Sequence, residues 1–405
     1  MGQALKNPAL ISLAAGFTDN KTLPLESTRR LLESIFRDST GGRALLQYGT
    51  SEGSESLRAL TADLLKGLDQ TGGARSTHIP LENILITNGS QQFLYLITEA
   101  LCDSGDLVIV EDPTYFVYLG ILQSHGIEPR GIPMEPDGMS LPALEACLDK
   151  LARSGDIRRL KFIYSVTYFQ NPTGITTSLA KKRQIVDLLS RYESRAGHRI
   201  FFVEDAAYRE LNFPDYSPPP STLTFSDATD RIIYTGTYSK PFATGIRVGY
   251  GVLPSSLRDP VLNLKGNHDF GSAHLLQGIL AAAISSQDYE KQLKTSRKNY
   301  ANKCALMIRS MGRDFPESVT HTIPRGGLCL WVTLPKTLAC GPKSKLFKVA
   351  IASGVLYVPG ELAYGDDPTR RKPRNAMRLS FGSASRAKIR EGITRLGQAI
   401  ASRMD

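Results

Sequence analysis

The sequence has few cysteines, and none of them is placed to form a recognisable metal-binding pair. Five are present, odd in number and widely scattered: Cys102, Cys147, Cys304, Cys329 and Cys340. This pattern argues against a disulfide framework and against a zinc site. We therefore expect no metal, and a reducing compartment such as the cytoplasm fits the cysteine usage best.

Long apolar runs are also absent. No stretch approaches the roughly 20 apolar residues that a membrane-spanning helix needs, and the short apolar stretch 9–17 lacks the cleavage site of a signal peptide. The formal charge is +10, from 49 basic and 39 acidic residues, but no dense basic arm exists. We therefore expect neither a membrane nor a nucleic acid as partner, and a modest attraction for anionic ligands.

From about residue 84 the chain alternates between short apolar strands and helical segments. Strands are predicted at 84–87, 107–110, 160–166, 200–203, 232–235 and 248–253, and helices at 91–102, 115–124 and 178–196. The alternation predicts an α/β fold with a mainly parallel sheet buried on both faces. Ligands of such sheets bind beyond the carboxyl ends of the strands, so the residues directly after each strand are the candidates for a site.

A long helical stretch, Leu275–Met311, leads into a second pattern. Strands are predicted at 319–323, 328–333, 355–358 and 377–381, with helices at 343–353 and 385–404. This part is expected to form a smaller C-terminal α+β domain. The predicted division is an N-terminal segment 1–45, a large domain 46–270, a long connecting helical region 271–312 and a small domain 313–405.

Two loops that follow strands carry neutral polar groups with a chemical use. The loop 88–92 opens a helix, whose free N–H groups and positive dipole end suit a phosphate, although an ordinary helix cap at Ser90 explains the loop better when it is taken alone. Asn171 lies in an Asn-Pro-Thr-Gly turn, which occurs in many proteins. Its amide can donate to a ligand oxygen.

Two further loops add charge. Asp205 follows the apolar run 200–203, where a carboxylate is either a helix cap or a site residue. Opposite a pyridine nitrogen it would keep that nitrogen protonated. Lys240 follows strand 232–235 with two hydroxyl residues before it and Arg247 after it, a set that serves a phosphate and an amine nucleophile.

The order and spacing of these loops are more specific than any one of them. Asn171 and Asp205 are 34 residues apart and Asp205 and Lys240 are 35 apart, each gap the length of one helix-containing crossover. With NPTG, ED-x-x-Y, S-K and R-V-G-Y in this order, the sequence resembles the fold-type-I enzymes that depend on pyridoxal phosphate (PLP). It is similar in particular to class I/II aminotransferases of the α-aminoadipate/kynurenine branch, which includes the aminotransferase-like domains of MocR-type regulators. The likeness runs from residues 12–16 to 378–381.

The resemblance implies a role for each candidate residue. Lys240 would form a Schiff base with PLP and move the proton at Cα, Asp205 would pair with the ring nitrogen, and Tyr115 would stack on the ring. Contacts to the ring oxygen are implied for Asn171 and Tyr208, and contacts to the phosphate for Ser90, Gln91, Thr237, Ser239 and Arg247. Arg378 matches the arginine that grips the substrate carboxylate in a bidentate fork. The segment that holds Gly16 would lie over the substrate.

The resemblance also implies an assembly and an activity. Tyr48 matches a tyrosine that reaches the cofactor phosphate of the neighbouring subunit, so a homodimer with shared active sites is implied. The N-terminal segment 1–45 would cover the active site and pack with the small domain. The implied activity is transfer of an α-amino group between an amino acid and a 2-oxo acid, in cytoplasmic amino-acid metabolism.

Several alternatives stay open. Thr167 and Thr244 stand where the family often has proline, and Pro241 follows Lys240 directly. These departures keep an amino-acid oxidase, a decarboxylase, a carbon–carbon bond-forming enzyme or a lyase of specialised biosynthesis on the same fold as candidates.

Three other patterns carry less weight. Gly49–Gly53 matches the G-x-S-x-G elbow of α/β-hydrolases around Ser51, but the residues before it make a poor strand. A MocR-type regulator needs a winged-helix segment, and the likeness here already begins by Ser12. Arg370, Arg371 and Arg374 suggest an acidic substrate, but an exposed basic loop explains them better.

Overall fold

The computed structural model describes residues 10–74, 77 and 79–404, so the first nine residues of the predicted N-terminal segment lie outside the described part. The described chain begins with strand β1 (Ile11–Ser12), followed by helices α1 (Leu25–Arg37) and α2 (Ser39–Leu45). Helix α2 begins after Asp38, whose carboxylate accepts from Thr40 N–H and so caps the helix.

An eight-stranded sheet forms the centre of the molecule. Its strands are β2 (Ile84–Thr87), β3 (Leu107–Asp112), β4 (Glu128–Glu135), β5 (Gly138–Met139), β6 (Leu160–Val166), β7 (Phe201–Asp205), β8 (Ile232–Thr237) and β9 (Gly249–Val252). The order is β2-β9-β8-β7-β6-β3-β4-β5. Strands β8, β7, β6, β3 and β4 are parallel, whereas β9 runs antiparallel to both its neighbours and β5 antiparallel to β4. The mainly parallel sheet is confirmed.

Helices cover both faces of this sheet. They are α3 (Glu55–Thr71), α4 (Gly89–Leu101), α5 (Phe116–Ser124), α6 (Leu141–Ser154), α7 (Leu179–Ala196) and α8 (Ser255–Asp269). Alternate residues of β3 enter different cores: Val108 and Val110 pack in one cluster, and Leu107 and Ile109 in the other. Because side chains alternate across a strand, this division is what a sheet buried on both faces requires.

The predicted helical stretch Leu275–Met311 is two helices rather than one. Helix α9 (His274–Ser285) ends just before Gln287, and α10 (Asp288–Asp314) begins directly after it. Gln287 has φ 63, in the left-handed region that a continuing helix cannot use.

A four-stranded antiparallel sheet forms the C-terminal part. The remaining elements are β10 (Thr320–His321), β11 (Cys329–Thr333), α11 (Lys345–Ala352), β12 (Val355–Leu356), β13 (Val358–Pro359), β14 (Ala376–Ser380) and α12 (Arg386–Ala401). The sheet order is β10-β11-β14-β13. Strand β12 pairs instead with β1, in parallel, so the predicted strand 355–358 is split between two sheets. The predicted domain boundaries stay a prediction.

The sequence analysis did not predict helices α1, α2, α3, α6 and α8 or strands β1, β4 and β5. Strand β4 contains Pro129 and Pro133, which lack a backbone donor and so disguise a strand that lies second from the sheet edge. None of the described helices has the length and apolarity that crossing a membrane requires.

Candidate active site

A cavity of about 230 Å³ lies at the carboxyl ends of β6, β7 and β8, beside the first turn of α4. This is the edge at which parallel sheets bind ligands. The predicted site residues that line it are Gly16, Ser90, Gln91, Tyr115, Asn171, Asp205, Tyr208, Thr237, Ser239, Lys240, Arg247 and Arg378. All the predicted site residues except Tyr48 are therefore brought together.

A larger cleft of about 750 Å³ lies beside this cavity, between α5 and the loops 339–344 and 361–374. The two spaces share Phe116. The larger cleft holds Arg374 but none of the residues predicted to contact the cofactor. The smaller cavity, where those residues converge, is the candidate active site.

One end of the cavity is built for an anion. Ser90 and Gln91 lie in the first turn of α4, whose backbone N–H groups have no helical partners. Arg247 Nη1 donates to Ser239 Oγ at 3.2 Å and to Thr244 O at 3.3 Å, which holds the guanidinium beside that turn. A helix start, a hydroxyl and an arginine together suit a phosphate.

Glycine allows this end to be assembled. A Cβ on Gly249, the first residue of β9, would lie 2.5 Å from Gly89 C and from Ser90 N, inside any possible contact distance. Strand β9 therefore approaches the start of α4 more closely than it could with any residue other than glycine at position 249. This approach brings Arg247, which precedes β9 by two residues, to the anion end.

Asp205, the last residue of β7, is a buried carboxylate in the wall of the cavity. Its Oδ2 accepts from Tyr164 Oη at 2.8 Å, and its Oδ1 accepts from Ala207 N–H at 3.0 Å. It forms no salt bridge within the described residues. Burial raises the pKa of Asp205 to about 6, although both hydrogen bonds favour the charged form.

Lys240 presents the opposite situation, an amine without a carboxylate. Its Nζ donates to Gly16 O at 2.9 Å, and burial, with the charges of Arg378 and Arg247 next in importance, lowers its pKa to about 8. The four fully buried lysines, Lys181, Lys182, Lys265 and Lys303, each pair with a carboxylate. Among the described residues, Lys240 forms no such pair.

Arg378, on β14, closes the other side of the cavity. Its Nη1 donates to Asn171 Oδ1 at 2.8 Å and its Nη2 to Ala14 O at 2.6 Å. The buried Nε has no hydrogen-bond partner in the described part of the chain. Asn171 in turn donates to Tyr208 Oη at 3.4 Å. The Nε N–H therefore has no acceptor in the described chain, and the residue as a whole lines the cavity.

Residues 9–396 match the family Aminotransferase class I and II. The chain belongs to this family. It is 30% identical over 398 residues to Aromatic-amino-acid aminotransferase 1 of Thermococcus litoralis, with 98% of this chain and 89% of the relative covered. It is 29% identical to 2-aminoadipate transaminase of Thermus thermophilus, with 98% and 91% covered.

A solved structure gives the same result at the level of the fold. The crystal structure of kynurenine aminotransferase from Pyrococcus horikoshii, in complex with PMP, superposes with a TM-score of 0.88 at 31% identity. The match covers 100% of this chain and 93% of that chain. The protein is a PLP-dependent aminotransferase that transfers an amino group between an amino acid and a 2-oxo acid, and the fold is the PLP-dependent transferase fold.

The residues of this aminotransferase's cavity fit PLP in two observed respects. At one end of the cavity, helix N–H groups, Ser239 and Arg247 would bind the phosphate. The buried carboxylate of Asp205, which has no cation in the described chain, would pair with the protonated ring nitrogen. Two complementary charges at opposite ends of one cavity are what a phosphorylated pyridine requires.

The turn that carries Asn171 is fixed by hydrogen bonds of Gln170, one of which goes to the buried carboxylate of Glu111. Gln170 Nε2 donates to Glu111 Oε2 at 2.8 Å and to Pro113 O at 2.7 Å, and its Oε1 accepts from Thr173 N–H at 2.9 Å. Gln170 therefore ties the turn to the loop that precedes Tyr115. Burial raises the pKa of Glu111 to about 7.

Two sequence interpretations meet a different outcome. Ser51 follows helix α2 rather than a strand, and its Oγ donates to Phe270 O at 3.4 Å, so the hydrolase elbow is wrong. Arg370 is not part of a purely exposed basic loop, because it pairs with the buried Asp112. Arg374 is exposed, 3.7 Å from Glu361.

Sequence reasoning missed several residues that line or support the cavity: Gly89, Phe116, Val117, Tyr164, Val166 and Ala207. Most are apolar and carry no chemical signal. Tyr164 did carry a signal, because it lies two residues before Val166 on β6 and so faces the same side of the sheet. The sheet register is needed to show that Asp205 also faces that side.

Proposed function

We propose that this aminotransferase holds PLP in the 230 Å³ cavity and binds it covalently through Lys240. The observation that carries the proposal is the pair of unmatched charges described above, a lysine without a carboxylate and a carboxylate without a cation. An ionic group left alone in a buried wall is costly unless a ligand completes it. PLP supplies an aldehyde for Lys240 and a ring nitrogen for Asp205.

The anion end supports the phosphate assignment. Ser90 and Gln91 would offer backbone N–H groups, while Thr237, Ser239 and Arg247 would offer hydroxyls and a guanidinium. Tyr115, whose Oη donates to Gln91 Oε1 at 3.3 Å, would cover the ring face. Asn171 and Tyr208 would contact the ring oxygen.

Bound PLP supplies the electron withdrawal that makes a substrate Cα proton acidic. The chain supplies the base: the Lys240 amine, whose pKa near 8 leaves a useful neutral fraction at neutral pH, would take and return that proton. Asp205 would hold the proton on the ring nitrogen. Arg378, which lines the cavity together with Gly16, would bind the substrate α-carboxylate.

For the substrate side chain we propose an aromatic amino acid rather than an acidic one. The cations that line the cavity are Lys240, Arg247 and Arg378, and each already has a role. No fourth cation among the described lining residues is left for a side-chain carboxylate. Phe116 and Val117, which have no cofactor role, give the wall an apolar surface instead, and the Thermococcus litoralis relative is named for aromatic amino acids.

We further propose a homodimer with shared active sites. Tyr48 is 79% exposed and Leu46 and Phe270 are 66% exposed, with the Tyr48 and Phe270 rings 5.6 Å apart in an edge arrangement. Exposed aromatic and aliphatic groups side by side are typical of an interface. Tyr48 does not line the cavity of its own chain, so its predicted contact with a phosphate requires a second copy.

The remaining predictions become part of the proposal. The division into segments 1–45, 46–270, 271–312 and 313–405 is supported by the two separate sheets and by the break at Gln287. We propose a cytoplasmic location, since all five cysteines are free, and a role in amino-acid metabolism or biosynthesis.

The covalent assignment is tested by borohydride reduction of the purified, PLP-loaded protein followed by peptide mapping. We expect the reduced cofactor on Lys240 and not on the buried lysines that pair with carboxylates. Lys240→Ala should lose activity completely, whereas Lys265→Met, which removes a buried lysine outside the cavity, should retain it in the folded fraction. Label on another lysine, or full activity of Lys240→Ala, would refute the assignment.

The substrate proposal is tested with a panel of amino acids and 2-oxo acids. Phenylalanine, tyrosine and kynurenine should give a higher kcat/KM than glutamate or 2-aminoadipate as amino donors. Parallel measurement of oxygen uptake and CO₂ release distinguishes transamination from oxidation and decarboxylation. A preference for the acidic donors would contradict the aromatic assignment and would point to a cation outside the cavity walls described here.

A further inference from the structure

Tyr164 is a fully buried tyrosine on β6 that the chemistry above does not use. Its phenol donates to Asp205 Oδ2 at 2.8 Å. In the sheet register Tyr164 lies beside Val203 and Val166 beside Asp205, so both strands present these side chains to the cavity face. Tyr164 therefore lies on the same face of the sheet as Asp205, two residues before the end of β6 and outside the set of residues that line the cavity.

The environment of Asp205 gives this hydrogen bond unusual weight. The other acceptor contact of Asp205 is to Ala207 N–H at 3.0 Å, and Tyr164 supplies the one side-chain donor within the described chain. The pKa of Asp205 is shifted by burial and by the hydrogen bonds from Tyr164 and from Ala207 N–H, with no cation among the causes. The carboxylate is therefore stabilised by one neutral phenol and one backbone N–H.

We propose that Tyr164 is a positioning residue that keeps the shared proton on the cofactor's ring nitrogen by weakening the basicity of Asp205. The inference rests on the proposed function, because it needs PLP in this cavity. A phenol that donates to a carboxylate stabilises its charged form and lowers its affinity for a proton. Without that donor, the proton between Asp205 and the nitrogen moves from the nitrogen to the carboxylate oxygen, with no exchange of electrons.

The phenol is suited to this task over the whole working range of pH. Burial, together with the charge of Asp205, raises the pKa of Tyr164 well above its ordinary value. It therefore remains a neutral donor and does not compete for the shared proton. The hydroxyl also fixes one carboxylate oxygen, and Ala207 N–H fixes the other, so that Asp205 cannot rotate away from the ring.

The chain provides a matched control in Tyr118. Its ring packs against that of Tyr164 with centroids 3.9 Å apart and an angle of 31° between the ring planes, and both residues are fully buried. Its hydroxyl bonds to Thr98 Oγ1 at 3.0 Å and not to Asp205. Tyr118→Phe therefore removes a buried phenol from the same pair of rings without changing the donors to Asp205.

The test compares the wild-type, Tyr164→Phe and Tyr118→Phe holoenzymes loaded with PLP that carries ¹⁵N in the ring. In Tyr164→Phe the ¹⁵N resonance should move toward that of a neutral pyridine, and kcat should fall by about 10- to 100-fold, the loss typical of one hydrogen bond to a charged group. KM should change far less, because Arg378 is untouched. Tyr118→Phe should keep the wild-type resonance and a kcat within a few-fold.

Equal effects in the two variants, or a wild-type ¹⁵N resonance in Tyr164→Phe, would overturn the inference. If Tyr164→Phe fails to fold, difluorotyrosine at position 164 keeps the shape and is a stronger donor. It should move the resonance further toward the protonated form, and no movement would contradict the proposal. Absence of PLP from Lys240 in the wild-type protein would instead refute the proposed function itself.

Discussion

Glu204 and Asp205 are neighbours in the chain and both are buried, yet they have opposite surroundings. Because side chains alternate along β7, Glu204 points away from the cavity. There it pairs with Lys182 Nζ at 2.7 Å and accepts from Thr167 Oγ1 at 2.8 Å and Thr222 N–H at 2.8 Å. Burial raises the pKa of Glu204, but Lys182 and these hydrogen bonds outweigh it and leave the pKa below its ordinary value.

Asp205 has two hydrogen bonds and no cation in the described chain, and its pKa is raised to about 6. The difference between the two carboxylates is therefore one of completeness. Glu204 finds every partner within the protein and contributes to the fold. Asp205 lines the cavity instead, and we propose that the protonated ring nitrogen of the cofactor is its cationic partner.

The largest expected effect is a loss of folding stability when Glu204, on the side of the sheet away from the cavity, loses its cation. Lys182→Met leaves Glu204 buried without its cation, so we expect a loss of about 3–5 kcal/mol in the free energy of unfolding. Denaturant unfolding of the apoprotein at neutral pH measures it. Lys182→Met combined with Glu204→Leu should lose less, because no buried charge is left unpaired.

The pH dependence of that loss has a definite sign. The folded pKa of Glu204 is lower than the ordinary 4.5, so the contribution of its charge is present above 4.5 and is lost as pH falls through the folded value. The upper end of the window is set by Lys182, whose pKa burial lowers to about 8. The gap between wild type and Lys182→Met should narrow in acid. A gap that widens would contradict the assignment of Glu204 as a structural anion.

Asp205→Asn is expected to act on the reaction rather than on the fold. A neutral amide cannot hold the proton on the ring nitrogen, so kcat should fall by about 10²–10³-fold, as for other preorganised electrostatic groups. Stability should change little, since an incompletely paired buried carboxylate is removed. Steady-state kinetics test the expected fall in kcat, and an unfolding curve on the same sample tests the expected stability. A variant that loses stability but keeps kcat would show that Asp205, like Glu204, serves the fold.

The rate of PLP loading should depend on pH through the protonation of the Lys240 amine. Schiff base formation needs neutral Lys240, whose pKa is lowered to about 8 by burial and by Arg378 and Arg247. The rate at which PLP loads the apoprotein should therefore rise about tenfold per pH unit below 8 and level off above it. Stopped-flow absorbance measures this, and a continued rise to pH 10 would mean that Lys240 behaves as an exposed lysine.

The smallest expected effect comes from Thr167, which stands where the family often has proline. Its hydroxyl donates to Glu204 Oε1 at 2.8 Å. Thr167→Val should lose about 1.5–3 kcal/mol of stability, the usual contribution of a hydrogen bond to a charged group, with kcat nearly unchanged. Thermal unfolding and steady-state kinetics check it, and a large loss of kcat would place Thr167 in the cavity's chemistry instead.

Much of the site was predictable because its chemistry is local to strand ends. Strand β6 has the predicted bounds, and the residues Asn171, Asp205, Lys240 and Arg247 converge as their spacing indicated. Strand β4 was not predictable because Pro129 and Pro133 hide its pattern. The break within the predicted helical stretch Leu275–Met311 was not predictable, because the left-handed Gln287 carries no signal in its side chain.

Contacts between distant side chains were the other limit. Tyr164 and Asp205 are 41 residues apart, and their hydrogen bond depends on the register of β6 against β7. The pairing of Arg370 with Asp112 joins the C-terminal part to the end of β3. Spacing along the chain cannot reveal such pairs. They depend on how the strands align in the sheet, and the apolar residues that build the sheet do not specify that alignment in the sequence.

The short stretch Ala14–Gly16 supplies an internal acceptor to two cations of the site. Its carbonyls accept from Arg378 Nη2 and from Lys240 Nζ, the two groups that we propose for the substrate carboxylate and the cofactor aldehyde. A ligand that replaces either hydrogen bond competes with a tethered internal acceptor. Its apparent affinity is therefore reduced by the fraction of molecules in which that acceptor is engaged.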